Sequence, residues 1–291
     1  MINSQTEMVA SPRKGTLFIL AASIGFGLNP LFARWAYAAG LSPEAAMLFR
    51  AIGPALIALP GIVGFQQRKQ ESLIALLLGM FIGLGTLTYF RSLAVVPVAT
   101  AALVYFTYPL FTILLGWLFF GQRLTRLSLL TGLLVLLACV FILSPAGLAP
   151  DQLTALAISF LMPVSFATIL LGLDRWLKGL KPLQVLAFSA WGQVLILLPF
   201  ILLQQAPQLL PTAAIGWIAI VGLIVVSSFM PQILTIRGNV LLGAERTAIF
   251  GSAELITALI VGWVILDETV RTAELAGAGL LIAAILLRYR H

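Results

Sequence analysis

Long uninterrupted apolar stretches, separated by short polar segments, fill almost the whole of this 291-residue chain. The stretches are continuously apolar and do not alternate in steps of two, so they predict helices and not the strands of a barrel. A helix needs about 20 apolar residues to cross a bilayer core, and it satisfies its own backbone hydrogen bonds there. Ten stretches each predict one membrane span: 16–38, 44–64, 72–92, 98–120, 127–143, 153–175, 183–204, 213–236, 244–266 and 272–288.

The second half of the chain repeats the first. Residues 41–60 align without gaps with residues 180–199, and nine of the 20 positions are identical, among them two prolines and a glycine. Residues 91–125 align in the same way with residues 237–271 and share an arginine and a Gly-Trp pair. Because each repeat holds five spans, an odd number, the second copy enters the bilayer from the opposite side. We therefore predict an all-α integral membrane protein with ten transmembrane helices, built as two inverted five-helix repeats around a central cavity.

The two repeats are predicted to occupy residues 1–145 and 150–291. The segment 144–152 joins them and carries two prolines and a glycine, which is typical of a turn. The other loops are also short, so any function is expected to lie within the helical bundle.

Basic residues are distributed unevenly between the two predicted sides of the membrane. With a cytoplasmic amino terminus, thirteen of the 17 Lys and Arg residues fall on the inner side and three on the outer side, which leaves Arg50 in mid-span. Cytoplasmic loops carry such an excess of positive charge. The asymmetry supports ten spans and places both termini in the cytoplasm.

Composition excludes several classes of function. The chain is 61% apolar and 9% charged, with a mean hydropathy of +1.08, whereas a soluble domain is about 45–50% apolar and about 25% charged. The net charge of +7 does not indicate nucleic-acid binding, because the basic residues punctuate loops and do not cluster with aromatic residues. The one histidine is His291 at the end of the chain, and no hydrolase or nucleotide-binding motif is present. We therefore predict no enzyme, no cofactor and no metal site.

Two ionisable residues fall within predicted spans. Glu254 lies about ten residues into span nine, where an ionised group facing lipid costs a few kcal/mol. It should face the interior, as a binding group for a proton, an ammonium group or a cation, or as a structural acid between helices. Arg50 is the mid-span cation, and we interpret it as a structural anchor that reaches outward or pairs with a carboxylate.

Aromatic and polar residues in the spans suggest the character of a bound molecule. Three of the five tyrosines, Tyr89, Tyr105 and Tyr108, lie in the third and fourth spans, where they line a cavity or form part of an interfacial belt. Prolines at Pro30 and Pro163 interrupt the first helix of each half, which is a pointer to a substrate site. The predicted substrate-binding residues are Phe26, Asn29, Tyr89, Tyr105, Tyr108, Gln232, Phe250, Ser252 and Glu254.

Three stretches resemble a known repeat. The opening SIGFGLNPLFARWA and the segments PLFTILLGWLFFGQRLT and ELITALIVGWVILDETV resemble the EamA repeat of the drug/metabolite transporter superfamily. The resemblance covers residues 12–288, although Gln122 stands in the first copy where the second has Glu268. Within the superfamily the chain most resembles the YddG-type aromatic amino acid exporters. That resemblance implies a ten-helix basket whose cavity is lined chiefly by helices one, three, four, six, eight and nine.

The resemblance also implies a function. We expect a secondary transporter, monomeric and resident in the bacterial inner membrane, that exports aromatic and other amphipathic amino acids or related metabolites by alternating access, with protons as a possible coupling ion. One alternative keeps the fold and changes the cargo to lipophilic drugs or cations. Another is a receptor or scaffold that binds a ligand without moving it, but the short loops offer little surface for partners.

Overall fold

The computed structural model describes residues 12–63, 65–93, 104–143, 150–203, 209–266, 269 and 271–290. These ranges are helical and contain no β-strand, so the all-α prediction is confirmed. The predicted turn at 144–152 lies mostly outside the described residues, and Glu268 lies wholly outside them. The helices are α1 (Pro12–Gly27), α2 (Asn29–Ala38), α3 (Pro43–Ile57), α4 (Lys69–Leu93), α5 (Tyr108–Phe120), α6 (Arg126–Leu143), α7 (Pro150–Ser159), α8 (Leu161–Arg175), α9 (Pro182–Leu202), α10 (Ala214–Val221), α11 (Met230–Leu242), α12 (Ala244–Gly251), α13 (Ala253–Ile265) and α14 (Thr272–Arg290).

Seven helical stretches of the described chain are long and apolar enough to cross a bilayer. Three other predicted spans correspond to α3, α5 and α6, which have 15, 13 and 18 residues. A multi-pass membrane protein is therefore confirmed, while the count of ten spans stays a prediction. The seven stretches are Pro12–Ala38, Lys69–Tyr89, Gln152–Arg175, Pro182–Leu202, Ala214–Leu242, Ala244–Ile265 and Thr272–Arg290.

The helix contacts are reciprocal between the two halves of the chain. The first broken helix of the first half, α1 with α2, packs on α11, α12 and α13. The corresponding broken helix of the second half, α7 with α8, packs on α4 and α5. Helix α3 packs on the segment Gly222–Phe229, and its counterpart α9 packs on α4. The last helices of the halves, α6 and α14, pack on each other. Each half therefore completes the packing of the other.

Glycines allow the closest of these crossings. A methyl group at Gly192 of α9 would overlap the carbonyl oxygen of Leu76 in α4 and lie 2.7 Å from the amide nitrogen of Met80. A methyl group at Gly79 of α4 would overlap the carbonyl oxygen of Ser189 in α9. Small residues permit such close approach in lipid, where no hydrophobic drive brings helices together. The α4–α9 crossing thus depends on glycine in both helices.

Several of the long apolar helical stretches are interrupted. A turn at Leu28 separates α1 from α2, just before Pro30, and a turn at Phe160 separates α7 from α8, shortly before Pro163. Proline has no amide hydrogen to continue a helix ladder, which accounts for breaks next to it. A third break, at Ser252 between α12 and α13, has no proline beside it. In contrast, α3 continues through Pro54 without a break.

The backbone widens to a π-helical pattern over Gly222–Phe229, between α10 and α11. Hydrogen bonds in this pattern reach five residues back instead of four, and such turns occur mostly at functional sites. Pro231 follows directly, in the first turn of α11. The helical stretch from α10 to α11 is therefore continuous. The side chains after the π-helical segment are rotated relative to their positions in a regular α-helix.

The glycine crossing gives a first prediction. Replacing Gly192 by Ala places a methyl group against the α4 backbone, and overpacking of this kind costs about 1–3 kcal/mol. We expect G192A to lower the temperature of unfolding. Unfolding can be followed with a thiol-reactive fluorophore, because the single cysteine, Cys139, is fully buried.

A matched control is Gly279→Ala in α14, where an added methyl group would meet nothing within 4 Å. Alanine is favoured over glycine inside helices by about 0.5–1 kcal/mol, so G279A should leave the unfolding temperature unchanged or raise it. Equal unfolding temperatures for the two variants would contradict the proposed role of Gly192.

Candidate functional site

A cavity of about 550 Å³ lies inside the helical bundle. Residues from both halves of the chain line it, including residues beside the breaks at Leu28 and Phe160. Six of the nine residues predicted to bind substrate are among its walls: Phe26, Asn29, Tyr89, Tyr105, Gln232 and Glu254. Other polar side chains that face it are Tyr37, Arg50, Thr86, Ser189, Gln193, Ser228 and Thr235.

The break at Ser252 determines where Glu254 lies. Glu254 is in the first turn of α13, close to the amino end of that helix, where the helix dipole stabilises negative charge. The adjacent α1 approaches so closely that a methyl group at Gly27 would overlap Thr257 and lie 2.7 Å from the carbonyl oxygen of Glu254. The carboxylate therefore sits on a helix terminus that another broken helix supports.

The carbonyl groups at the end of α12 receive hydrogen bonds from side chains. The hydroxyl of Tyr108 donates to the carbonyl oxygen of Ala248 at 3.1 Å, and the hydroxyl of Ser252 donates to the same oxygen at 3.2 Å. The hydroxyl of Ser23 in α1 lies 3.2 Å from the carbonyl oxygen of Gly251. A helix end leaves carbonyls without intrahelical partners, and these side chains supply some of the missing hydrogen bonds.

Three predicted substrate residues lie outside the walls of this cavity. Phe250 and Ser252 are buried at the α12–α13 break, and Tyr108 lines a smaller cavity beside it. The hydroxyls of Tyr108 and Ser252 bond the α12 backbone, as described above. Their contact with a substrate stays a prediction.

Arg50 faces the same cavity as Glu254. Its Nε donates to the hydroxyl of Ser228 at 3.4 Å, and the ion pairs of the described chain do not include Arg50 or Glu254. The interpretation of Arg50 as an anchor that reaches outward or pairs with a carboxylate did not include a position on the cavity wall. A signal was present, because two opposite charges in mid-span are both expensive unless they face a polar interior.

Aromatic rings form one side of the cavity. The ring of Tyr105 lies 6.4 Å from that of Tyr89, 5.0 Å from that of Phe106 and 6.1 Å from that of Phe166, measured between centroids. Tyr108 packs edge-on against Phe166 at 4.9 Å. Three tyrosines predicted from sequence therefore form one cluster. Phe166 completes it, and no pattern in the sequence distinguishes it from the other 17 phenylalanines.

The side-chain carbonyl oxygen of Asn29, at the α1–α2 break, is unpaired. The Oδ1 atom of Asn29 is buried and has no hydrogen-bond partner. An unsatisfied buried acceptor costs about 1–3 kcal/mol, and a bound molecule with a donor group relieves that cost. Asn29 is therefore placed to orient a polar group in the cavity.

Asp174 ties three helices together near the carboxyl end of α8. Its Oδ1 accepts a hydrogen bond from the side-chain amide of Asn239 at 2.7 Å, and its Oδ2 accepts one from the backbone N–H of Ala244 at 2.7 Å. The Asn239 amide also donates to the carbonyl oxygen of Leu170, which lines the cavity. This cluster joins α8, α11 and the start of α12.

In the described part of the chain, no group of three or more His, Cys, Asp or Glu residues comes together. Helices from both halves of the chain, several of them broken beside the site, surround the cavity, which is an arrangement typical of membrane carriers.

The chain belongs to the EamA-like transporter family, whose model matches residues 13–144 and again residues 153–290. It is 29% identical over 237 residues to an uncharacterized transporter of Archaeoglobus fulgidus, an alignment that covers 80% of each protein. A protein of known crystal structure shares the fold with a TM-score of 0.74 and 19% identity, and the superposition covers 95% of this chain and 96% of that one. The protein is therefore a transporter and not an enzyme.

The hydroxyl of Tyr108 gives a second prediction. Tyr108→Phe removes the donor to the Ala248 carbonyl, and loss of one such hydrogen bond costs about 0.5–1.5 kcal/mol. We expect a lower unfolding temperature in the Cys139 labelling assay.

The control is Tyr289→Phe, at a residue whose side chain is exposed near the end of α14. It should unfold at the wild-type temperature. If Tyr108→Phe unfolds at that temperature as well, the hydroxyl does not stabilise the α12–α13 break.

Proposed function

We propose that this protein exports aromatic and other amphipathic amino acids from the bacterial cytoplasm by alternating access. The proposal includes ten spans, two inverted five-helix repeats at residues 1–145 and 150–291, both termini in the cytoplasm, and a monomer in the inner membrane. The observation that carries it is the presence of Arg50, Glu254 and an aromatic cluster on the walls of one cavity.

The two charges favour a zwitterion as the substrate. An unpaired charge in a low-dielectric interior is costly, and a ligand that carries both signs compensates Arg50 and Glu254 together. The α-carboxylate of an amino acid suits the guanidinium, which binds carboxylates through paired donors. Its ammonium group suits Glu254. A lipophilic cation would leave Arg50 without a counter-charge, so it matches this cavity less well.

The size and walls of the cavity favour an aromatic side chain. Its volume, about 550 Å³, falls within the range of about 300–1,000 Å³ that is usual for small-molecule sites. Tyr89, Tyr105 and Phe166 offer ring faces and edges at the spacing that aromatic pairs prefer. An aromatic amino acid would place its ring there, while Asn29 and Gln232 orient its polar head.

Alternating access is supported by the relation between the two halves. The family model matches each half once, and the helix contacts are reciprocal between them. Breaks at Leu28 and Phe160 fall in corresponding helices, as in transporters whose repeats rock around a central site. With cytoplasmic termini, the Asp174 cluster lies at the inner end of the cavity, where we propose that it closes the path to the cytoplasm.

The charge pair gives a third prediction. Three labelled compounds separate the contributions: phenylalanine, phenylethylamine, which lacks the carboxylate, and phenylpropionate, which lacks the amine. We expect purified protein to bind phenylalanine at least about tenfold more tightly than either analogue, since each analogue leaves one charge uncompensated. Arg50→Gln should abolish the preference over phenylethylamine, and Glu254→Gln should abolish the preference over phenylpropionate.

The matched controls are Arg91→Gln and Glu71→Gln. In the wild type the guanidinium of Arg91 stacks on Phe200 outside the cavity, and the carboxylate of Glu71 pairs with Arg68 at the surface. Both control variants should keep the wild-type order of affinities. Proteoliposomes that contain the wild-type protein or either control variant should accumulate labelled phenylalanine by counterflow. Tighter binding of phenylethylamine than of phenylalanine by the wild type would contradict the proposal and favour an exporter of lipophilic cations.

A further inference from the structure

A second, smaller cavity of about 20 Å³ lies against the α12–α13 break. It has space for about one water-sized sphere. It adjoins the main cavity, because Phe26, Phe166 and Glu254 line both. The lining residues that can supply an oxygen ligand are Ser23, Tyr108, Thr235, Thr247 and Glu254 through their side chains and Gly251 through its carbonyl.

Oxygen atoms around this cavity lack full hydrogen-bond partners. Thr247 is 2% exposed, and its Oγ1 has no partner. The hydroxyl of Ser23 lies 2.9 Å from the carbonyl oxygen of Ile19, 3.4 Å from that of Phe250 and 3.2 Å from that of Gly251. A hydroxyl has one proton to donate, so it cannot satisfy three acceptors. The cavity therefore holds an unpaired hydroxyl oxygen, that of Thr247, and a carbonyl oxygen, that of Gly251, which has at most a shared donor.

Continuation of the helix would occupy one of these acceptors, but the break prevents it. In an unbroken α-helix the amide of Leu255 would donate to the carbonyl of Gly251, four residues back. Here it donates to the carbonyl oxygen of Ser252, three residues back, at 3.0 Å. The cavity also lies at the carboxyl end of α12, which carries the negative end of the helix dipole.

We propose that this small cavity binds the coupling ion of the transporter, a single hard monovalent cation that is either Na⁺ or a hydrated proton. Such ions take oxygen ligands, and carbonyls at the ends of broken membrane helices are known to supply them. Here the ligands would be the Glu254 carboxylate, the Thr247 hydroxyl and the Gly251 carbonyl at the end of α12. The role of the ion in transport rests on the proposed export function. The ion site itself rests only on the geometry of the small cavity.

The shared carboxylate makes the two cavities competitors. One carboxylate in a low-dielectric interior balances one positive charge, so an ammonium group in the main cavity and a cation in the small one exclude each other. Competition of this kind favours exchange, in which entry of the cation accompanies export of the substrate. The other charged or titratable side chains that share a cavity wall with Glu254 are Tyr37 of α2, Arg50 of α3, Tyr89 of α4, Tyr105, and Tyr108 of α5.

Competition between the ion and phenylalanine is the main test. The dissociation constant of phenylalanine is measured on purified protein in NaCl, in choline chloride of equal ionic strength, and over a range of pH in choline chloride. If the ion is Na⁺, we expect the dissociation constant of phenylalanine to rise about tenfold for each tenfold rise in Na⁺, once Na⁺ exceeds its own dissociation constant. If the ion is a proton, we expect the same dependence on proton concentration. A constant that changes with neither ion, or that falls as either ion increases, overturns the proposal.

The variant Thr247→Val removes one oxygen ligand and keeps the shape of the side chain. It should raise the ion concentration needed to displace phenylalanine by about tenfold, and Thr247→Ser should restore the wild-type value. Thr131→Val is the matched control, because Thr131 is fully buried in α6 and its hydroxyl bonds only its own helix. Equal ion dependence in Thr247→Val and Thr131→Val contradicts the assignment of Thr247.

A measurement without substrate separates this site from the proposed cargo. Na⁺ or protons should raise the unfolding temperature of the wild type more than that of Thr247→Val, because an ion that binds only the folded state stabilises it. If phenylalanine fails to bind but this difference appears, the ion site is supported and the cargo is wrong. If phenylalanine binds but neither ion produces the difference, the ion site is wrong and the export function stands.

Discussion

A helix that stops inside a bilayer leaves carbonyl and amide groups without helical partners, and this protein places such an end next to its cavity. Tyr108 and Ser252 donate to the Ala248 carbonyl, and Ser23 of the first helix approaches the Gly251 carbonyl. These hydroxyls stabilise the end of α12, and the break in turn sets the start of α13, which carries Glu254. The position of the mid-membrane acid thus depends on a few side-chain hydrogen bonds to the backbone.

Close packing between the halves supports the same arrangement. The crossing of α4 with α9 requires Gly79 and Gly192, and the approach of α1 to α13 requires Gly27. Because the contacts of one half are repeated by the other, residues from both halves reach the main cavity. A cavity of about 550 Å³ remains where the broken helices do not fill the space between them.

Much of the fold could be predicted from the pattern of apolar stretches, since a bilayer admits few architectures with such a composition. The breaks near Pro30 and Pro163 were predicted from the prolines, because proline removes an amide hydrogen from the helix ladder. Proline alone does not decide where a helix breaks, since α3 continues through Pro54. The break at Ser252 was not, since it depends on hydroxyls from α1 and α5 that are distant in the sequence.

The candidate site was predictable in part. Glu254, Asn29 and the tyrosines stood out because polar and ionisable groups are rare in spans, and six of the nine predicted residues line the main cavity. The direction in which a side chain points was harder to predict. Arg50 lies on the cavity wall and donates to Ser228, and the hydroxyl of Ser252 bonds its own helix, which the sequence pattern did not indicate for either residue.

The π-helical segment Gly222–Phe229 has a mechanical consequence. Closing its wide turn to an ordinary α-helical one would rotate the helix that follows by about 100°, the angle of one residue, and would turn Gln232 and Thr235 away from their present walls. Ser228, which accepts the hydrogen bond from Arg50, belongs to this segment. A substrate carboxylate that draws the Arg50 guanidinium away from Ser228 would therefore remove a contact that holds this segment in its present register. Substrate binding in the cavity would in this way be coupled to rotation of α11.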